Sequence, residues 1–123
     1  MSSNAAKGAR AKARTKAWLI AQGYQVADLE KVYWIVTAKG RLPVKRDQLG
    51  SDLLAMITPG TFVSRAMPIA SVCFVQVKSG KSAIGGRFPD ARRKFAEFSF
   101  PRSTAQVVIA WPPRARTPRI VVM

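Results

Sequence analysis

A chain of 123 residues, 48% of them apolar, is long enough to bury one core and reads as a single domain, 1–123. Twenty-one basic residues face six acids, and the resulting net charge of +15 selects polyanionic partners, nucleic acid ahead of a membrane surface. With no histidine and one cysteine, His-based triads, most zinc sites and an internal disulfide are excluded, and no run is apolar for the roughly 18 residues of a spanning helix.

Residues 1–6 read as a frayed leader that lacks the apolar core of a signal peptide. Cys73 lies inside an apolar run as a buried thiol, so the expected location is cytoplasmic, in a reducing compartment and with DNA. Residues 7–22 read as a helix stopped by Gly23, with Ala9, Ala13, Ala17 and Ile20 as its apolar stripe. Lys7, Arg10 and Arg14 fall on one side of that stripe, Lys12 and Lys16 on the other.

Two strands are expected over Tyr24–Ala27 and Lys31–Ala38, followed by a turn or loop at Lys39–Pro43. A strand is expected over about Ser51–Ile57, with a turn at Thr58-Pro59-Gly60 and an ambiguous stretch over 61–70. Val72–Lys78 is nearly continuous in its apolar character, as a strand covered on both faces is. Ser79–Arg87 reads as a mobile basic loop. Pro89 and Asp90 then open a helix to about Phe98, Asp90 as a cap, with Ala91, Phe95 and Phe98 inward and Arg92, Arg93 and Lys94 outward. Ala105–Trp111 and Pro118–Met123 close the chain as strands. This order predicts an α/β sandwich around a mixed sheet.

The chemistry concentrates in Gly50-Ser51-Asp52-Leu53-Leu54-Ala55 and Val75-Gln76-Val77-Lys78. Residues two apart on a strand share a face, so Gln76 and Lys78 project to one side. If the Asp52 strand pairs with theirs, the three side chains meet at a sheet end. Magnesium, with manganese as a substitute, takes hard oxygen ligands. Asp52 offers a carboxylate, Gln76 an amide oxygen and Val77 a backbone carbonyl, while Lys78 orients the attacking water or stabilises charge growing on a phosphate.

An Asp followed by an acid-x-Lys at a strand end is the pattern of the PD-(D/E)xK nucleases. Within that superfamily, Lys7-Gly8-Ala9, the Asp52 segment, Val75-Gln76-Val77-Lys78 and the later basic helix resemble the archaeal-type Holliday junction resolvases. The resemblance implies a restriction-endonuclease-like fold, in which helices flank a mixed central β-sheet. It also implies a homodimer that nicks opposed strands of a four-way DNA junction with magnesium. The chain departs from the pattern twice. Gln76 stands where the family usually has Glu, and Lys12 stands near the family's acid on the first helix. Glu30 and Asp47 are the acids left to complete the metal site.

On this reading Asp52, Gln76 and Lys78 are catalytic, and Lys7, Arg10, Arg14, Lys81, Arg87, Arg92 and Arg93 hold the DNA. Trp18, Trp34 and Trp111 are expected in the core or a dimer contact rather than as base-stacking platforms, and Phe88 is the aromatic best placed to reach DNA. The dimer seam is expected at Phe100, Trp111 and the C-terminal strand. Two alternatives stay open: another PD-(D/E)xK nuclease of the repair or restriction type, and a non-catalytic nucleic-acid-binding module descended from a nuclease.

Overall fold

Strands β1 (Tyr24–Asp28), β4 (Leu53–Ile57), β5 (Val72–Ser79), β6 (Thr104–Trp111) and β7 (Arg119–Val122) form one mixed sheet in the order β1-β4-β5-β6-β7. The structure, a computed structural model, describes residues 4–46, 48–57 and 70–123. Helix α1 (Asn4–Ala21) covers one face of the sheet, and α2 (Pro89–Ala96) covers the other. Strands β2 (Lys31–Thr37) and β3 (Gly40–Arg46) form a separate two-stranded hairpin. No helix among the described residues is long and apolar enough to cross a membrane.

β5 and β6 run parallel in register from Val72↔Thr104 to Ser79↔Trp111, joined through α2 in a crossover, as parallel neighbours require. β4 pairs antiparallel with β5, with Leu53 opposite Val75. The continuous apolar character of β5 and β6 follows from their position, since each is covered on both sides. Cys73, Val75, Val107 and Ile109 face α1 and its Leu19, whereas Val108 and Ala110 face Ala83, Phe88 and Ala91. Burial pushes the Cys73 thiol up from its ordinary pKa, against a lowering contact with the Ala70 carbonyl.

Helix α1 starts at Asn4, inside the expected leader, and ends before Gly23, whose φ of 100° suits a helix stop. Its buried face is not the expected one. Ala11, Thr15 and Leu19 are buried, while Ala9, Ala13, Ala17 and Ile20 are exposed. Thr15 tolerates burial because its hydroxyl donates to the Ala11 carbonyl at 2.7 Å and accepts from Trp111 Nε1 at 2.7 Å. Alanine, small and neutral in preference, marks neither face.

Other elements also differ from expectation. The expected turn or loop at Lys39–Pro43 is a turn at Ala38 and Lys39, after which the chain returns as β3, with Pro43 opposite Trp34. Pro is tolerated there because a two-stranded hairpin is all edge. The basic loop after β5 contains a 3-10 turn over Gly80–Ala83, tied down by buried Ala83. Phe88 is buried beneath α2, and Phe98 lies past the end of that helix, exposed. Asp90 does not cap α2; it sits in the first turn and pairs with Arg93. The expected turn at Thr58-Pro59-Gly60 and residues 61–69 lie outside the described residues.

Candidate functional site

Gln48 and Ser51 close a two-residue turn by exchanging backbone hydrogen bonds of 3.3 and 2.9 Å. Leu49 and Gly50 both hold positive φ, 53° and 68°, the signature of the tight hairpin turns whose twist matches a sheet. Gly50 is required a second time, because a Cβ there would sit 3.2 Å from the backbone carbon and oxygen of Lys94 in α2. The turn thus presses against α2 and delivers Asp52 to the start of β4.

Asp52 is fixed through both backbone and side chain. Its N–H donates to the Val75 carbonyl at 2.8 Å, its carbonyl accepts from Leu29 N–H at 2.9 Å, and its Oδ2 accepts from Val77 N–H at 2.8 Å. The expected pairing of the Asp52 and Gln76 strands is therefore present, and the carboxylate stands just before the first residue of β4, where β5 runs on past it. Val77 engages Asp52 through its N–H, while its side chain packs on the core beneath α1.

Gln76 is 2% exposed, and its Nε2 donates to the Gly50 carbonyl at 2.5 Å. That leaves the amide oxygen as the atom Gln76 can offer a cation. Lys78, half-buried on the same face of β5, makes no hydrogen bond or ion pair with another described residue. Asp52, Gln76, Val77 and Lys78 line one cavity of about 540 Å³, together with Lys12, Lys16, Glu30 and Lys94.

Glu30, one of the two acids left to complete the centre, is therefore in the cavity, and Asp47 lies outside the described residues. Lys12 ties Glu30 into an ion-pair network: its Nζ is 3.3 Å from Glu30 and 2.6 Å from Asp28, and Lys16 adds a 3.3 Å contact to Asp28. Burial works to lower the Lys12 ammonium, but the hydrogen bond to Asp28 and the charge of Glu30 outweigh it and hold its pKa above the ordinary value. Burial likewise works to raise Asp28, and the bonds from Lys12 Nζ and the Glu30 N–H outweigh it, holding this carboxyl below the ordinary value.

A second cavity of about 950 Å³ adjoins the first, sharing Gly8, Ala11 and Ser79 with it. It is lined by Arg10, Arg14 and Lys81, with Trp111 as an apolar wall. Arg14 lies 4.2 Å above the Trp111 ring and donates to the Ala115 carbonyl at 2.6 Å. The other expected DNA contacts are dispersed. Arg87 is exposed, and its carbonyl accepts from Arg92 Nε at 2.8 Å. Arg92 lines a separate hollow with Phe95, Phe98 and Phe100, and Arg93 is paired with Asp90. The side chain of Lys7 lies outside what is described. Lys94, expected outward, is exposed and also lines the first cavity, where Gly50 packs on its backbone, a contact that spacing alone does not show.

Two of the expected dimer residues are packed within the chain, while the C-terminal strand β7 stays at the edge of the sheet with Val122 exposed. Trp111 is buried against α1, and Phe100 packs on Phe74 at 4.7 Å and on Phe95 at 6.0 Å between ring centroids. Trp34, expected in a core or dimer contact, is 59% exposed.

No family model, curated protein or solved structure matches this chain.

Proposed function

We propose that this chain is a metal-dependent, structure-selective DNA endonuclease of the Holliday junction resolvase type, built on a restriction-endonuclease-like fold. The observation that carries the reading is the convergence of Asp52, Gln76, Lys78 and Glu30 on one cavity where β5 runs on past the first residue of β4. The donor chemistry fits magnesium: two carboxylates and one amide oxygen in a cavity large enough for the ion's remaining waters. When bound, such a cation supplies Lewis-acid activation of water and of the scissile phosphate.

The chain's own residues do the rest. Asp52 is held by the Val77 N–H, and Lys78, without a hydrogen-bond or ion-pair partner among the described residues, lines the cavity to stabilise charge on the phosphate or orient the attacking water. Arg10, Arg14 and Lys81 hold the neighbouring stretch of phosphate backbone. Four ammonium groups against two carboxylates leave the cavity with a positive surplus, so metal and DNA should enter together, the phosphate supplying the missing negative charge. By linkage, each then raises the affinity for the other.

Paired incisions call for a homodimer. With Trp111 and Phe100 spent internally, the unpaired edge of β7, with exposed Val122, is the surface left for it. The positive surplus and the bonded amide of Gln76 favour one second reading, a non-catalytic module that grips nucleic-acid phosphates. Nicking of a four-way junction in magnesium or manganese, absent in EDTA and weak on a plain duplex, supports the nuclease. Tight junction binding with no nicking in either metal supports the module.

A further inference from the structure

The β2–β3 hairpin carries a core-like sequence on the outside of the molecule. Val32, Tyr33, Trp34, Ile35, Val36 and Leu42 are all exposed, Val36 by 84%. Among the described residues the hairpin pairs with no strand of the main sheet. An isolated two-stranded ribbon is marginal in water, and an apolar patch of this kind marks a binding surface.

Register sorts the ribbon into two faces. One carries Val32, Trp34 and Val36 with Pro43 and Arg41, and the Arg41 guanidinium lies over the Trp34 ring, 5.2 Å from its centroid. The other carries Tyr33, Ile35, Leu42 and Val44.

Charge identifies the occupant. Residues 31–46 contain Lys31, Lys39, Arg41, Lys45 and Arg46 and no acid. A second copy would bring an identical cationic ribbon to this one, on a chain whose net charge is already +15. A polyanion with flat apolar faces is complementary instead. Nucleic acid has both features, but in a duplex the base faces are stacked on one another and the grooves show only edges. Unpaired nucleotides expose the faces, and an aromatic ring beside a guanidinium is the usual means of holding them.

The ribbon is also rooted at the candidate centre. β2 begins one residue after Glu30, and β3 returns through the Gln48–Ser51 turn to Asp52. Gln48 Nε2 donates to Tyr33 Oη at 3.3 Å and ties the base of the ribbon to that turn. Seven-residue strands carry the ribbon about 23 Å from its root.

We propose that the β2–β3 hairpin is a stacking ribbon for unpaired nucleotides of the strand that enters the centre, with a base stacking on the Trp34–Arg41 pair and the Arg41 charge drawn to its phosphate. This rests on the reading that the partner is DNA. The test is a titration of the full-length protein with an oligothymidylate of about 12 nucleotides, within the site sizes of such surfaces, followed by tryptophan fluorescence. Trp18 and Trp111 are packed in or against the core, so Trp34 should dominate the quenching. Trp34→Ala should weaken binding about tenfold or more and remove most of the quench, whereas Trp34→Phe should keep the affinity and lose the quench. Arg41→Gln, which leaves the apolar residues in place, should reduce the salt slope by about 0.7. Unchanged affinity and quench in Trp34→Ala overturn the ribbon while DNA binding stands. Light scattering that shows a wild-type dimer and a Trp34→Ala monomer of equal DNA affinity also overturns it, in favour of a seam between copies. If the wild type binds neither the oligonucleotide, a duplex nor a junction, the DNA reading itself fails, and the ribbon with it.

Discussion

Replacing Gln76 by Glu restores the residue that resemblance to the resolvases leads one to expect, yet the structure predicts that it destabilises the protein in the absence of metal. Gln76 is almost wholly buried, and its Nε2 donates to the Gly50 carbonyl at 2.5 Å. An ionised carboxylate cannot donate, so two acceptors would face each other. Leaving a buried acceptor unsatisfied costs about 1–3 kcal/mol. Unfolding entropy of about 2.1 cal/mol/K per residue makes a loss of about 2 kcal/mol equal to a fall of about 8 °C in Tm for a chain of this length. The sign with pH is fixed by the same bond. A protonated carboxyl can still donate to Gly50, so the folded state raises the new group's pKa above its unfolded value of about 4.3. The deficit of Gln76→Glu should therefore be absent below about pH 4 and grow as pH rises through the raised folded pKa. Magnesium at about a hundredfold over its Kd contributes about 2.7 kcal/mol, enough to reverse the loss. Thermal melts of both proteins at pH 4 and pH 7, with magnesium and with EDTA, check each step. A variant that melts with the wild type at pH 7 in EDTA refutes the bond to Gly50. A low Tm that ignores magnesium keeps the bond and removes Gln76 from the cation site.

Three further outcomes are expected. Gly50→Ala must place a Cβ against the Lys94 backbone at a φ of 68°, and should cost at least about 1–2 kcal/mol, read as a lowered urea midpoint at unchanged m-value. Asp28→Asn should remove part of the acid sensitivity, because a carboxyl held below its ordinary pKa stabilises the fold above about pH 4 and loses that contribution as pH falls through the lowered folded value. Melts from pH 2 to pH 6 should be flatter for this variant than for the wild type. Arg10→Gln with Lys81→Gln, at the cavity beside the centre, should reduce the salt slope of duplex binding by about 1.8 without changing Tm; Arg14 is a poorer choice because it also stacks on Trp111.

The sheet that bears the candidate centre was legible because β5 and β6 are apolar on both faces, as strands covered on both sides are. Gln76 and Lys78 stood out because they interrupt it. The cavity they share with Asp52 follows from strand pairing, which the turn residues around Gly50 support. The buried face of α1 was not legible, because alanine occurs all around the helix and the residue that marks the face is Thr15, polar and satisfied inside. The outward turn of β2 was hidden for the opposite reason: Val-Tyr-Trp-Ile-Val is what a buried strand looks like, and nothing local says that the ribbon stands clear of the sheet. Lys12 reads as one more cation of a basic helix. Its bonds to Asp28 and Glu30 join residues 16 and 18 positions apart, a pairing that only the fold brings together.

The central claim is that Asp52 is a catalytic ligand and not merely the acceptor that fixes Val77. Asn keeps an oxygen to accept the Val77 N–H, so Asp52→Asn should fold and bind a four-way junction as the wild type does. With an end-labelled junction in magnesium, wild-type protein should release nicked strands and Asp52→Asn should release none at equal occupancy. Equal cleavage by the two proteins would contradict the account.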